Sequence, residues 1–121
     1  MKLLLAVVLV ILSGCASLRP NPDEWTDKER LAFTLSTAAH LADLGTTMAA
    51  LDSGRCTELN PLLGSNPSNG SLIAVKALAI GLEYAFYNSE ASRGPHSHWL
   101  GFVTATIIGG VTIHNLQQDC Y

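Results

Sequence analysis

The sequence predicts an all-α fold, a three-helix up-down-up antiparallel bundle that is membrane-associated. Three observations carry this expectation: three apolar stretches of helical length separated by Gly, Pro and Asn clusters, a charged fraction of only 14% beside 48% apolar residues, and a positive mean hydropathy of +0.26. Soluble domains carry about a quarter charged residues, so this balance leans towards lipid. The 121 residues leave room for one modest core and no second domain. The formal charge is −3, and the few Lys and Arg are scattered along the chain, so no basic surface exists to neutralise phosphates. Nucleic acid is excluded as a partner.

The chain opens with Met1 and Lys2, a minimal positive start, and continues with the apolar run Leu3 to Leu12. That run has the length of a signal core and falls short of the roughly 20 residues a spanning helix needs. The next residues, Leu12, Ser13, Gly14 and Cys15, resemble the bacterial lipobox. The resemblance implies that residues 1–14 are a lipoprotein signal peptide and that Cys15 is the lipid attachment site and the mature first residue. The competing reading is an ordinary secretory signal with a chance cysteine after Gly14, and the position, Leu12 and the small residues favour the lipobox. Acyl chains such as palmitate, at about 0.8 kcal/mol per buried methylene, anchor a multiply acylated terminus without a spanning helix. By resemblance to proteobacterial lipoproteins, Ala16 at the following position permits sorting to the outer membrane. The expected location is the bacterial cell envelope, facing the periplasm from the outer membrane in a diderm cell.

Residues 15–25 hold Pro20, Asn21 and Pro22 and read as an extended tether, and residues 26–121 as the three-helix domain. Thr26 with Glu29 three residues on forms a capping box, which starts helix 1 at Asp27; Ser53 and Gly54 stop it after Asp52. Arg55 to Gly70 has two prolines, three asparagines and two glycines, a loop. Helix 2 takes Ser71 to Tyr87 and ends in the polar turn Asn88 to Pro95. Helix 3 starts near Ser97 and runs to Gln117. Its β-branched residues and the pair Gly109 and Gly110 lower helix propensity and leave a strand as the alternative; length favours the helix.

Helices 1 and 3 approach spanning length, with no Lys or Arg between Arg30 and Arg55 and no charge between Trp99 and Leu116. Helix 2 fits less well, because Lys76 and Glu83 each cost roughly 2.5 to 3.5 kcal/mol near a helix centre unless partnered. Two arrangements stay open: helices embedded in a membrane, and a small water-soluble bundle whose apolar residues form its core. In an up-down-up bundle helices 1 and 3 run parallel, so Cys56 and Cys120, just beyond their C-terminal ends, meet at one end of the molecule. In an oxidising periplasm these two thiols are expected to form a disulfide. Were helix 1 to cross the inner membrane from a periplasmic Cys15, both cysteines would face the reducing cytoplasm, which excludes that bond.

On helix 1, Ser36, His40, Asp43 and Thr47 share one face. Lys76 and Glu83 share a face of helix 2, and counting from the intervening loop pairs Asp43 with Lys76 and His40 with Glu83. One reading is a structural polar seam that fixes helix register. The other is a small membrane-embedded ion, proton or hydrolytic site built on His40, Asp43, Lys76 and Glu83.

Asp43, Thr46 and Thr47, then Glu58, Asn60 and Pro61, then Lys76 resemble the D-x-x-T-T, E-x-N-P and helix-2 Lys pattern of a small three-helix bacterial and archaeal membrane domain of unknown function. The likeness covers about Leu31 to Leu116 and implies an integral membrane helical domain with no stated activity. The lipobox and the two candidate disulfide cysteines depart from that pattern.

No H-E-x-x-H, C-x-x-C or paired Glu-x-x-His signature is present, so no metal or other cofactor is expected. His40-x-x-Asp43 supplies two ligands, which do not make a site. His96 and His98 flank a turn and read as solvated loop residues. No Gly-x-Ser-x-Gly elbow or phosphate-cradling glycine loop occurs, and no catalytic residue is assigned. Trp99, Tyr84, Phe86 and Tyr87 gather at one end, as an interfacial belt or as core. The function expected is therefore non-enzymatic: a lipid-anchored envelope protein acting as a structural or interaction module, with the membrane and an envelope protein as its partners.

Overall fold

The computed structural model describes residues 25–58, 63–89, 92 and 94–118. The expected signal peptide, lipobox and tether, with Cys15, lie outside this range except for Trp25, and so does Cys120. Among the described residues there are three helices: α1 (Asp27–Asp52), α2 (Asn69–Tyr87) and α3 (Trp99–Gln117).

The capping box forms as the sequence dictates. The Thr26 hydroxyl accepts from the Glu29 backbone N–H at 3.2 Å, and the Thr26 N–H donates to the Glu29 carboxylate at 2.8 Å. α1 closes at Ser53, whose N–H returns to the Ala49 carbonyl, and Gly54 follows at φ +68°, the left-handed conformation glycine adopts freely. α2 begins two residues earlier than Ser71, because Ser68 is the cap: its hydroxyl accepts from the Ser71 N–H at 3.2 Å. α3 begins two residues later than Ser97, after a turn through Pro95 to His98. It continues through Gly109 and Gly110 without a break, so the strand alternative falls: length and packing against α1 outweigh β-branching.

Cross-helix contacts fix the directions. Ser36 meets Glu83 and Asp43 meets Lys76, so α1 and α2 are antiparallel; Glu29 meets Ser97 and Asp43 meets Asn115, so α1 and α3 are parallel. This is the up-down-up bundle. α1 is its spine: α3 lies close along it, α2 packs on it more loosely, and α2 and α3 scarcely touch each other. The helices come close together at Gly101, where an added Cβ would stand 2.7 Å from the Ala32 carbonyl carbon and oxygen.

The interior is polar and the exterior apolar. The buried side of α1 is Glu29, Ala32, Ser36, His40, Asp43 and Ala50. Leu31, Leu35 and Leu41 of α1, Ile73 and Leu78 of α2, and Val103, Ile107 and Ile113 of α3 all stand exposed. A small apolar core survives at one end. There Trp25 packs against Phe33, Tyr84 and Tyr87 at centroid distances of 5.2, 5.5 and 5.3 Å, and its Nε1 donates to Asn88 at 3.2 Å. The aromatic residues thus divide, with Trp25 and Tyr87 buried and Tyr84 and Trp99 exposed.

Candidate functional site: a polar seam inside an apolar bundle

The seam has three levels, each anchored on α1 because every second turn of that helix presents a polar residue inward, Glu29, Ser36 and then Asp43. At the Trp25 end, Glu29 does two jobs. One oxygen completes the cap of α1 and the other accepts from the Ser97 hydroxyl at 2.7 Å, tying the start of α3 to the start of α1. Beside it the Tyr87 hydroxyl accepts from the Gly101 N–H at 2.9 Å. That N–H belongs to the first turn of α3, where backbone donors lack helical partners, so the last residue of α2 caps α3.

At the middle level the Ser36 hydroxyl donates to Glu83 at 2.5 Å. The sequence reading placed His40 opposite Glu83; the carboxylate is instead bound by Ser36, one turn earlier. His40 and Glu83 nevertheless line one cavity of about 310 Å³, together with Ala79, Leu82, Leu100 and Thr104. His40 Nδ1 and Glu83 Oε1 are buried and have no hydrogen-bond partner among the described residues.

At the far level Lys76 and Asp43 form an ion pair at 2.5 Å, and the Asn115 amide donates to the other Asp43 oxygen at 3.1 Å and to Thr47 at 3.3 Å. Both carboxylate oxygens are thus engaged by separate helices. The Lys76 side chain is only 17% exposed. A larger cleft of about 720 Å³ opens past this level towards the Arg55–Glu58 segment, between α2 and α3, with Leu72, Val75, Ile108 and Val111 among its walls.

The structure therefore brings Asp43 and Lys76 together, places Ser36, His40 and Glu83 one level away, and leaves Thr46 turned to its own helix, where its hydroxyl donates to the Asp43 carbonyl at 3.1 Å. His96 is exposed, and no cluster of three metal-ligating side chains exists among the described residues. Cys56 is disulfide-bonded; Cys120, its expected partner, lies outside the described residues. The sequence reading does not single out Asn115, although an amide in a largely apolar helix is a signal for it. Glu29 was read only as a cap, because a cap accounts for one of its oxygens and the other finds Ser97 only in three dimensions.

By length and composition α2 and α3 are able to cross a membrane, each with mean hydropathy 1.3 over its most apolar window. This corrects the sequence expectation, which favoured helices 1 and 3: the two charges of α2 are offset by its apolar remainder, and α1 does not pass the same test. Compared with protein families, curated proteins and solved structures, the chain matches none.

Proposed function

We propose that this chain is a lipid-anchored envelope protein whose three-helix domain lies within a membrane and serves as a non-enzymatic structural or interaction module. One observation carries the membrane part of this reading. Between Leu31 and Leu51, and throughout α2 and α3, the charged residues are Asp43, Lys76 and Glu83, and all three turn inward. In water such an arrangement forfeits the hydrophobic effect on the outside while charging the inside. In hydrocarbon it leaves no charge facing lipid, as intramembrane ionisable residues require. The lengths agree: 19 residues of α2 or α3 extend about 28 Å at 1.5 Å per residue, close to the roughly 30 Å of a bilayer core. Helices joined through small residues, as at Ala32 and Gly101, are also how helices pack where no hydrophobic force drives them together.

The seam fits a structural role, since both oxygens of Asp43 are already taken, by Lys76 and Asn115. This speaks against the four-residue ion, proton or hydrolytic site. A lipid on Cys15 and a disulfide from Cys56 to Cys120 together need both ends of the bundle outside the cytoplasm, which the outer membrane of a diderm cell offers. A second reading has one observation in its favour. The Trp25 end carries Lys28 and Arg30, against Arg55 at the other, the asymmetry of a cytoplasmic-membrane protein with its Trp25 end inside. That topology forbids lipidation of Cys15, so the two readings separate on this residue.

The membrane reading is tested by Ile107→Lys and Leu41→Lys, at sites 60% and 57% exposed. In lipid each costs roughly 2.5 to 3.5 kcal/mol at mid-membrane depth, and the protein should fail to accumulate in alkali-resistant membranes. In a water-soluble bundle, even one tethered by a lipid on Cys15, both are harmless, and full accumulation of the folded double variant in any fraction would overturn the reading.

A further inference from the structure

The middle level of the seam holds two buried polar atoms with no hydrogen-bond partner. His40 and Glu83 are 5% and 6% exposed, yet Nδ1 of the one and Oε1 of the other lack partners, and both residues line the same cavity between α2 and α3. A buried polar atom left unpaired is costly, so two in one cavity call for an occupant. The remaining lining sets its chemistry. Ala79, Leu82 and Leu100 are apolar, Thr104 adds a single hydroxyl, and Leu82 and Leu100 are themselves 38% and 41% exposed, so the cavity opens on the apolar outer face and away from the bundle ends. Its volume of about 310 Å³ is at the lower limit of small-molecule sites, roughly 300 to 1,000 Å³.

We propose that this cavity binds the hydroxyl end of an apolar molecule, an aromatic or long-chain alcohol, which enters sideways from the surrounding hydrocarbon, donates its O–H to Glu83 Oε1 and accepts from Nδ1–H of His40. A cation bearing no apolar body would leave the leucine walls unused, and a purely apolar molecule would leave both polar atoms unpaired. Ser36 holds the second oxygen of Glu83 at 2.5 Å, which fixes the carboxyl group for the incoming donor. The inference rests on the membrane reading only for the route of entry.

The experiment uses the purified full chain in detergent micelles with 2-naphthol as probe and 2-methoxynaphthalene, its methyl ether, as the matched molecule without a donor. Saturable binding of naphthol at least tenfold tighter than the ether is expected, with loss of that preference in His40→Phe and Glu83→Met. Because either variant can misfold, the wild type supplies an independent measurement: the Nδ1 nitrogen resonance of His40 should move on adding naphthol and stay still on adding the ether. Equal affinity for the two probes, absence of saturable naphthol binding, or an unmoved His40 resonance would each overturn the proposal, the second leaving water as the cavity's occupant. Failure here leaves the Ile107→Lys result untouched, so the two readings fall separately.

Discussion

Lys76 of α2 reaches Asp43 of α1 at 2.5 Å, while Asn115 of α3 holds the other oxygen of the same carboxylate at 3.1 Å, so one aspartate joins all three helices. Removing one partner of a buried pair leaves the other charge uncompensated, at a typical cost of about 3 to 5 kcal/mol. Asp43→Ala and Lys76→Ala should each lower stability strongly in detergent unfolding, and Asp43→Asn with Lys76→Gln should cost less than the two single changes added. Additive losses would show that the pair is not coupled.

The Gly101 contact yields a test by contrast. A methyl group there meets backbone atoms of Ala32, which cannot swing aside as a side chain can. Gly101→Ala should therefore destabilise by roughly 1 to 3 kcal/mol through overpacking. Gly45→Ala, within α1 and with open space around it, should instead stabilise by about 0.5 to 1 kcal/mol, the ordinary gain of alanine in a helix. Thermal unfolding of both variants in one detergent compares them directly.

Tyr87 makes a separable contribution. Tyr87→Phe keeps the ring against Trp25 and removes only the acceptor for the Gly101 N–H. The loss should be about 1 to 3 kcal/mol, that of a buried donor left unpaired. Hydrogen exchange should show it as faster exchange confined to the first turn of α3, and unchanged protection there would refute the capping role.

For Cys15, intact mass of the envelope-purified protein should correspond to a chain beginning at residue 15 and carrying acyl groups, and Cys15→Ser should abolish fatty-acid incorporation. An unmodified terminus would favour the topology with the Trp25 end in the cytoplasm.

Thiol labelling after unfolding without reductant should find no free cysteine in the mature, lipidated protein, and two after reduction. A free Cys120 in unreduced material would dissolve the proposed pairing with Cys56.

The helices, their order and their directions were legible because caps, glycines and prolines act locally: Thr26 with Glu29 and Gly54 fix the bounds of α1 from a few neighbouring residues. The Asp43 and Lys76 pairing was legible too, since two isolated charges on adjacent antiparallel helices have few other places to go. Depth was less so. The partner of Glu83 differs by one helical turn from the counted one, because the loop between Ser53 and Ser68 sets the offset of α2 and its residue types do not specify that offset. The cavity beside His40 was not legible at all, for it depends on α2 and α3 standing apart, a matter of how closely each fits α1.

A bundle with its polar residues inside inverts the usual rule of which changes a protein tolerates. Leu41, Ile107 and Val103 face outward, and on the proposed membrane reading they should be interchangeable with other aliphatics, because lipid tails make no specific demand on shape. Ser36, Asp43, Gly101 and Asn115 each meet a particular atom on another helix, so drift in this chain should be fastest among its largest side chains and slowest among its small and polar ones.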